Sequence, residues 1–466
     1  MAEHRARGRR PWRAARAAGC AVPLLALLVQ LTGCAPADGP TDQYPGAQQM
    51  LDARADAVRR HDTAAFLASV DPQATGFRSR QRAVLDHLAA VPLADWRYDL
   101  VSTGAFPLPM AGGRRLAAQV RLRYRLKGFD TAPVTSFQYL TLTERDGRWL
   151  VSSDSDGAAD GKGGTRQLWD QGPVRLVRGR HSLVLGGAGN QARLRDLAKR
   201  VDAAVPAVSA VWKGKWAGKV VVEAPDTVEG MAQLMGGDDP SGYSGIAAVT
   251  TGEAGASTAA PADRVIVNPD AYEELNDLGR TVVLTHETTH VATRALTTPA
   301  TPLWLSEGFA DWVAYREVHR RPTTTAPELS RAVAAGQLPA RLPGDADFGF
   351  RAGAERLAKA YEGGWLACRL IAEKWGEDRL IAFYRDTGRL GLRPAAAGPV
   401  TAPMEARTAA PAVPTAPAPA PATAGGGSAR STGRSGLVER AMREQLGVGL
   451  SEFTAMWRAY VRRVLR

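Results

Sequence analysis

At 466 residues the chain is long enough for two or three domains with sizeable cores. Its 45% hydrophobic and 23% charged composition excludes disordered, collagen-like and disulfide-framework classes. The formal charge of +12 does not mark a nucleic-acid binder. Six arginines against Glu3 within residues 1–33 supply a large share of it, and no dense Lys/Arg block occurs elsewhere.

The chain opens with the pattern of a targeting segment. A basic stretch precedes the apolar run Ala21–Val29, which is too short to span a bilayer as a helix and has the length of a signal-peptide core. The run ends in Leu31-Thr32-Gly33-Cys34, which resembles the lipobox of bacterial lipoproteins. That resemblance implies a signal peptide over 1–34 and a lipid on Cys34, with the protein exported and tethered to the outer face of the cytoplasmic membrane. Ordinary cleavage near Gly33, or an uncleaved anchor, is the alternative. Arg9-Arg10 matches a twin-arginine export signal poorly, because Pro11 follows. With Cys20 removed and Cys34 acylated, Cys368 is left as the single free thiol, in an apolar helical run that reads as core.

Residues 35–44 form a polar, proline-bearing tether. Over 45–157 the pattern is helical first, with Leu51, Ala55 and Val58 at helical spacing and a second helix over Ser79–Ala90. Strands are expected at Trp96–Ser102, Arg115–Leu126, Thr135–Glu144 and Arg148–Ser153, with Arg145-Asp146-Gly147 as a hairpin turn. This order, with Asp146-Gly147-Arg148-Trp149-Leu150-Val151, resembles the cone-shaped nuclear-transport-factor-two-like fold. No acid/base cluster is legible there, so a spacer or interaction module is expected; His61 and His87 read as surface or packing residues.

A second domain is expected over 167–466. Strands are expected at Val174–Val177, Ser182–Leu185, Lys219–Glu223, Ile246–Thr250 and Arg264–Asn268. Helices are expected at Asn190–Val211, Thr227–Leu234, Gly279–Leu296, Pro302–Arg321, Ala354–Lys374 and Glu377–Arg385. Residues 388–436 are rich in Pro, Ala and Gly and have little to bury, so they read as a disordered insertion. Two amphipathic helices, Leu437–Leu446 and Leu450–Leu465, close the chain.

The chemistry lies in His286-Glu287-Thr288-Thr289-His290. Residues four apart share a helix face, so the two imidazoles can grip one metal ion, with Glu287 placed to take a proton from a zinc-bound water. The preceding Thr281–Thr285 is apolar enough for a buried helix. Downstream, Pro302-Leu303-Trp304-Leu305-Ser306-Glu307-Gly308-Phe309-Ala310-Asp311-Trp312 puts Glu307 early in a further helix, with Thr301 as N-cap and Pro302 at the first helical position. Glu307 would complete a His/His/Glu set that leaves a fourth position open, as catalytic zinc sites do. Asp311, one turn on, would accept the free ring N–H of a zinc-bound histidine; an ordinary helix or surface contact is the bland reading.

HExxH followed by Trp-Leu-x-Glu-Gly-Phe-Ala-Asp resembles the gluzincin zinc metallopeptidases, and among them the peptidase-MA-like family. The resemblance implies one zinc per chain held by His286, His290 and Glu307, with Glu287 as general base and Asp311 supporting a ligand. It extends more softly to Tyr361-Glu362-Gly363-Gly364-Trp365, where Tyr361 would stabilise the oxyanion. His319 is weaker, since Arg320 and Arg321 adjoin it. An edge strand at Ile246–Val249 would pair with an extended substrate, as gluzincin substrates pair. A Gly-Ala-Met-Glu-Asn-like segment, which zinc aminopeptidases use to hold a free N-terminus, is absent from the sequence, so an endopeptidase is expected.

The expected fold is α+β: a small helix-plus-curved-sheet domain, then a mainly helical zinc-peptidase domain with an edge sheet. The expected partners are a peptide or protein substrate and the membrane, with no nucleic acid. Two rivals stand beside this reading: a non-enzymatic lipoprotein using the fold for binding, and a zinc amidohydrolase acting on a non-peptide cell-wall amide.

Overall fold

The structure is a computed structural model, described over residues 43–108, 110, 112–189, 191–243, 245–252, 260–349, 353–392 and 427–466, with backbone alone over 427–432. Cys20, Cys34, the lipobox and residues 393–426 lie outside the described residues. All that follows belongs to one compact unit within residues 40–466.

The fold is mixed α and β, with sheets in the N-terminal part and helices dominating the C-terminal part. Helices α1 (Pro45–Arg60), α2 (Thr63–Ala68) and α3 (Thr75–His87) come first. An antiparallel meander follows: β1 (Leu93–Ser102), β2 (Arg115–Leu126), β3 (Val134–Arg145) and β4 (Arg148–Ser153). In β2 the even positions Leu116 to Leu126 are buried, while Arg121, Arg123 and Arg125 lie on the opposite face. That alternation turns one face of the sheet towards α1–α3, where it meets Leu51, Val58, Phe66, Phe77 and Leu85. The β3–β4 turn has positive φ at both Asp146 and Gly147, which matches the right-handed twist of a two-residue hairpin.

After the short α4 (Leu168–Gln171) comes the second sheet: β5 (Arg175–Arg178), β6 (Ser182–Gly186), β7 (Val220–Ala224), β8 (Ala248–Thr251) and β9 (Arg264–Val267), in the order β5-β6-β7-β9-β8. The central strands β6, β7 and β9 are parallel, and β5 and β8 are antiparallel edges. α5 (Gln191–Val211) links β6 to β7, and α6 (Val228–Leu234) follows β7. β6 and β7 are buried at every position and lack polar alternation, as befits strands covered on both faces.

The remaining helices are α7 (Pro269–Glu273), α8 (Asp277–Thr293), α9 (Leu303–Tyr315), α10 (Pro322–Thr325), α11 (Pro327–Ala334), α12 (Ala354–Trp375), α13 (Glu377–Leu392), α14 (Gly427–Leu446) and α15 (Leu450–Val464). α5 and α8 cover one face of the second sheet through Leu197, Val201, Val205 and Leu284. α9 and α12–α15 enclose the largest core, around Trp304, Phe309, Ile371, Phe383, Phe453 and Trp457. Among the described residues no helix is long and apolar enough to cross a membrane.

Several sequence expectations need correction. The helix carrying Glu307 begins at Leu303 with Pro302 as N-cap; Thr301 does not cap it. The open Leu303 N–H donates instead to Asp345 Oδ1 at 2.9 Å, a partner distant in sequence, and Thr301 Oγ1 accepts from Thr298 N–H. That helix ends at Tyr315, short of Arg321. The expected disordered insertion over 388–436 is helical at both ends, since α13 runs to Leu392 and α14 starts at Gly427; its middle lies outside the described residues.

Candidate functional site

α8 carries the two histidines. Asn276 caps it by accepting from Gly279 N–H at 2.9 Å, and Arg200 of α5 pins its first turn through Asp277 at 2.6 Å and Thr281 Oγ1 at 2.7 Å. Beyond that turn the helix is buried almost throughout, so His286 and His290 project inside the fold. α9 crosses close by. A Cβ at Gly308 would stand 2.2 Å from the Gly364 carbonyl oxygen of α12, so only glycine lets these helices approach so tightly. This contact brings Glu307 and Tyr361 to the same place. Trp457 Nε1 of α15 donates to Gly363 O at 3.1 Å and fixes α12 from behind.

The result is a compact three-residue cluster. His286 Nε2 and His290 Nε2 are 3.0 Å apart, and each is 3.2 Å from Glu307 Oε2. One donor atom from each residue lies within 4.8 Å of the others. Ligands about 2.0–2.1 Å from a tetrahedral zinc stand roughly 3.3 Å from each other, so the cluster has the dimensions of a metal position. The tautomer chemistry agrees. His286 Nδ1 lies 2.8 Å from Asp311 Oδ1, an acceptor, so Nδ1 holds the proton and Nε2 turns a lone pair into the cluster. Two imidazole nitrogens and a carboxylate oxygen facing one point need a cation there.

Burial disfavours charge on His286, yet Asp311, Glu307 and Glu287 outweigh it and raise its pKa well above the usual value, so the carboxylates draw a positive charge, proton or metal, onto Nε2. Burial acts against the Glu307 carboxylate too, but the two histidines more than compensate and leave its pKa lowered. Glu287 differs: burial raises its pKa, only partly opposed by the histidines and by the Thr250 hydroxyl. Thr250 Oγ1 of edge strand β8 lies 2.5 Å from Glu287 Oε2 and fixes its rotamer. Tyr361 is half-buried, with its ring centroid 6.2 Å from that of His286 and Phe348 edge-on at 5.3 Å. Burial and the carboxylates of Glu307, Asp311 and Glu287 raise its pKa well above the ordinary value, so it remains a phenol able to donate a hydrogen bond.

The structure thus brings His286, Glu287, His290, Glu307, Asp311 and Tyr361 together. It leaves His319 exposed and outside the cluster, and His87 Nδ1 lies 2.8 Å from Trp169 O on the N-terminal side. Cys368 is buried with its thiol against Leu305 O. Sequence reasoning missed Thr250, for which local sequence carries no signal, and the Gly308–Gly364 contact. The second was within reach, since Glu307-Gly308 and Gly363-Gly364 flank the two helix positions that must meet. No family model matches the chain, and no curated protein matches it.

Proposed function

We propose that the chain is a zinc-dependent peptidase of the gluzincin, peptidase-MA-like kind, acting within chains and tethered outside the cytoplasmic membrane through Cys34. The observation that carries this reading is the His286–His290–Glu307 cluster, with Asp311 behind one histidine and Glu287 beside it. The mixed sheet with β8 as its antiparallel edge, and α8 packed below it, fits that fold type.

His286, His290 and Glu307 would hold the metal, which when bound supplies Lewis-acid polarisation of the scissile carbonyl and of water. Asp311 keeps His286 in the ligating tautomer. Glu287, buried and raised in pKa, accepts the proton of the attacking water and returns it to the departing amine. Thr250 holds that carboxylate in line. Tyr361 offers its phenolic proton to the oxygen on which negative charge develops. A terminal strand next to Glu287, paired on one side only among the described residues, suits an extended peptide better than a compact non-peptide amide. The N-terminal helix-and-sheet part contributes none of the named site residues, and we read it as a non-catalytic module of nuclear-transport-factor-two-like type.

The test is metal content of the purified chain beside Glu307→Ala, with cleavage of casein by wild type and Glu287→Gln. One zinc per chain, lost in the first variant, with chelator-sensitive cleavage absent in the second, supports the reading. Zinc without cleavage moves the proposal to a non-peptide amide, and no stoichiometric zinc after reconstitution leaves a binding lipoprotein.

A further inference from the structure

One cation beside the site has no part in the mechanism above. Arg294 lies one turn beyond His290, so His286, His290 and Arg294 follow one another at four-residue steps along the same helix face. Its backbone stays helical as the C-cap of α8. Its Nε donates to Asp263 Oδ2 at 2.8 Å, and the two side chains are only 15% and 8% exposed. The pair is wedged against the outer end of β8: a Cβ at Gly252 would lie 1.9 Å from Asp263 Oδ1 and 3.1 Å from Arg294 Nε.

Two independent landmarks give the distance from the reacting centre. Along α8, Arg294 is about 6 Å beyond His290. Along the strand direction, Gly252 is roughly 6–7 Å past Thr250, which bonds Glu287. An extended peptide lying against β8 with its scissile bond at Glu287 would therefore pass Arg294 within about two residues of that bond.

The way Arg294 is held defines what it can recognise. Asp263 uses Nε and orients the fork, while the two terminal nitrogens have no partner among the described residues. That end of a guanidinium presents two parallel N–H donors, the geometry that matches a carboxylate. We propose that Arg294, positioned by Asp263, binds a carboxylate of the substrate close to the scissile bond: an acidic side chain where cleavage is internal, or a free C-terminus at that point, which would replace internal cleavage by release of C-terminal residues. The inference rests on the peptidase reading.

The experiment uses zinc-loaded full chain and a decapeptide series in which one Asp is moved along a neutral sequence, each peptide made with a free and an amidated C-terminus. Wild type is expected to show kcat/KM at least tenfold higher for one Asp position, or for the free over the amidated series, which tells the two carboxylate sources apart. Arg294→Ala should reduce that ratio about tenfold, Arg294→Lys should restore part of it, and Arg294→Glu should invert it towards Lys-bearing peptides. Asp263→Asn should weaken the ratio less than Arg294→Ala does. Zinc stoichiometry and melting temperature accompany each variant. A purely structural ion pair would lower stability in Arg294→Ala and Arg294→Glu with the charge ratio unchanged, and that result overturns the proposal. Cleavage by wild type without any carboxylate preference overturns it too and leaves the peptidase reading standing. If wild type cleaves none of the peptides and Glu287→Gln captures none, both fall together.

Discussion

The two sheets are built on opposite principles. In the four-stranded meander β1 and β2 keep one apolar and one charged face, so Trp96, Tyr98, Leu122 and Tyr124 pack inward while Arg97, Arg121 and Arg123 stay outside. The five-stranded sheet is Val- and Leu-rich at its centre and covered on both faces, with polar residues admitted only where they are paired. The first arrangement is local: each strand pairs with the next in sequence. The second needs α5 to return the chain for parallel pairing, and it sets β8, buried but paired on one side only among the described residues, at one edge beside Glu287. The His/His/Glu cluster therefore lies with the sheet whose order depends on distant contacts.

The two sheets are not independent. Arg264 of β9 makes a bidentate pair with Asp130, which follows β2, at 2.8 and 2.9 Å, and stands 3.6 Å from Glu223 of β7. Trp169, Leu183 and Val221 share an apolar cluster with the meander.

The largest expected effect separates the regions most sharply. Glu307→Ala should abolish stoichiometric zinc while the meander keeps its fold, read by metal analysis together with hydrogen exchange over residues 93–153; parallel loss of protection there would break the comparison. Asp311→Asn should keep the site but weaken zinc about 10–100-fold, measured by competition with a chelator. Arg264→Met should cost about 3–5 kcal/mol, because two buried carboxylates lose their cation. Denaturant melts that resolve two transitions in this variant, against one in wild type, would show that the pair couples the sheets. Gly308→Ala should cost about 1–3 kcal/mol through overpacking against α12, and should lower zinc affinity more than an alanine at exposed Gly237 does.

The smallest effect is a pH dependence at the junction between the regions. Burial pushes Asp170 of α4 up to about 6, against the Gln167 N–H that donates to it at 2.8 Å. A raised folded-state value means the protonated acid fits the fold better. Its stabilising contribution is complete below the ordinary carboxyl value of 3.8 and is lost as pH rises through about 6. Asp170→Asn should match wild type in melting temperature near pH 4 and exceed it by about 1–2 kcal/mol of stability at pH 7.5. An equal gap at both pH values would contradict this.

Much of the local order was legible in residues. Richness in Val, Leu, Tyr and Thr with partial alternation located β2 and β4 at their observed bounds, and in β2 the alternation follows the burial of one face. Helical spacing likewise placed α5, α8 and α12 to within a few residues. The short helices α2, α7, α10 and α11 escaped, since segments of so few residues carry too little periodicity. The cap of α9 was misread for a different reason: Asp345 supplies it from 42 positions away.

His286, Glu287 and His290 needed only the pitch of one helix, which puts the imidazoles on one face wherever that helix lies. Sequence alone thus determined that two imidazoles would share one helix face, with a carboxylate offset by one residue beside them. Tertiary structure decided what meets them. The glycine contact between α9 and α12 sets Glu307 and Tyr361 against α8, and the crossover through α5 places β8, with Thr250 and Gly252, along its flank. These are contacts between segments tens of residues apart, set by backbone approach and strand order, and local periodicity carries no record of either.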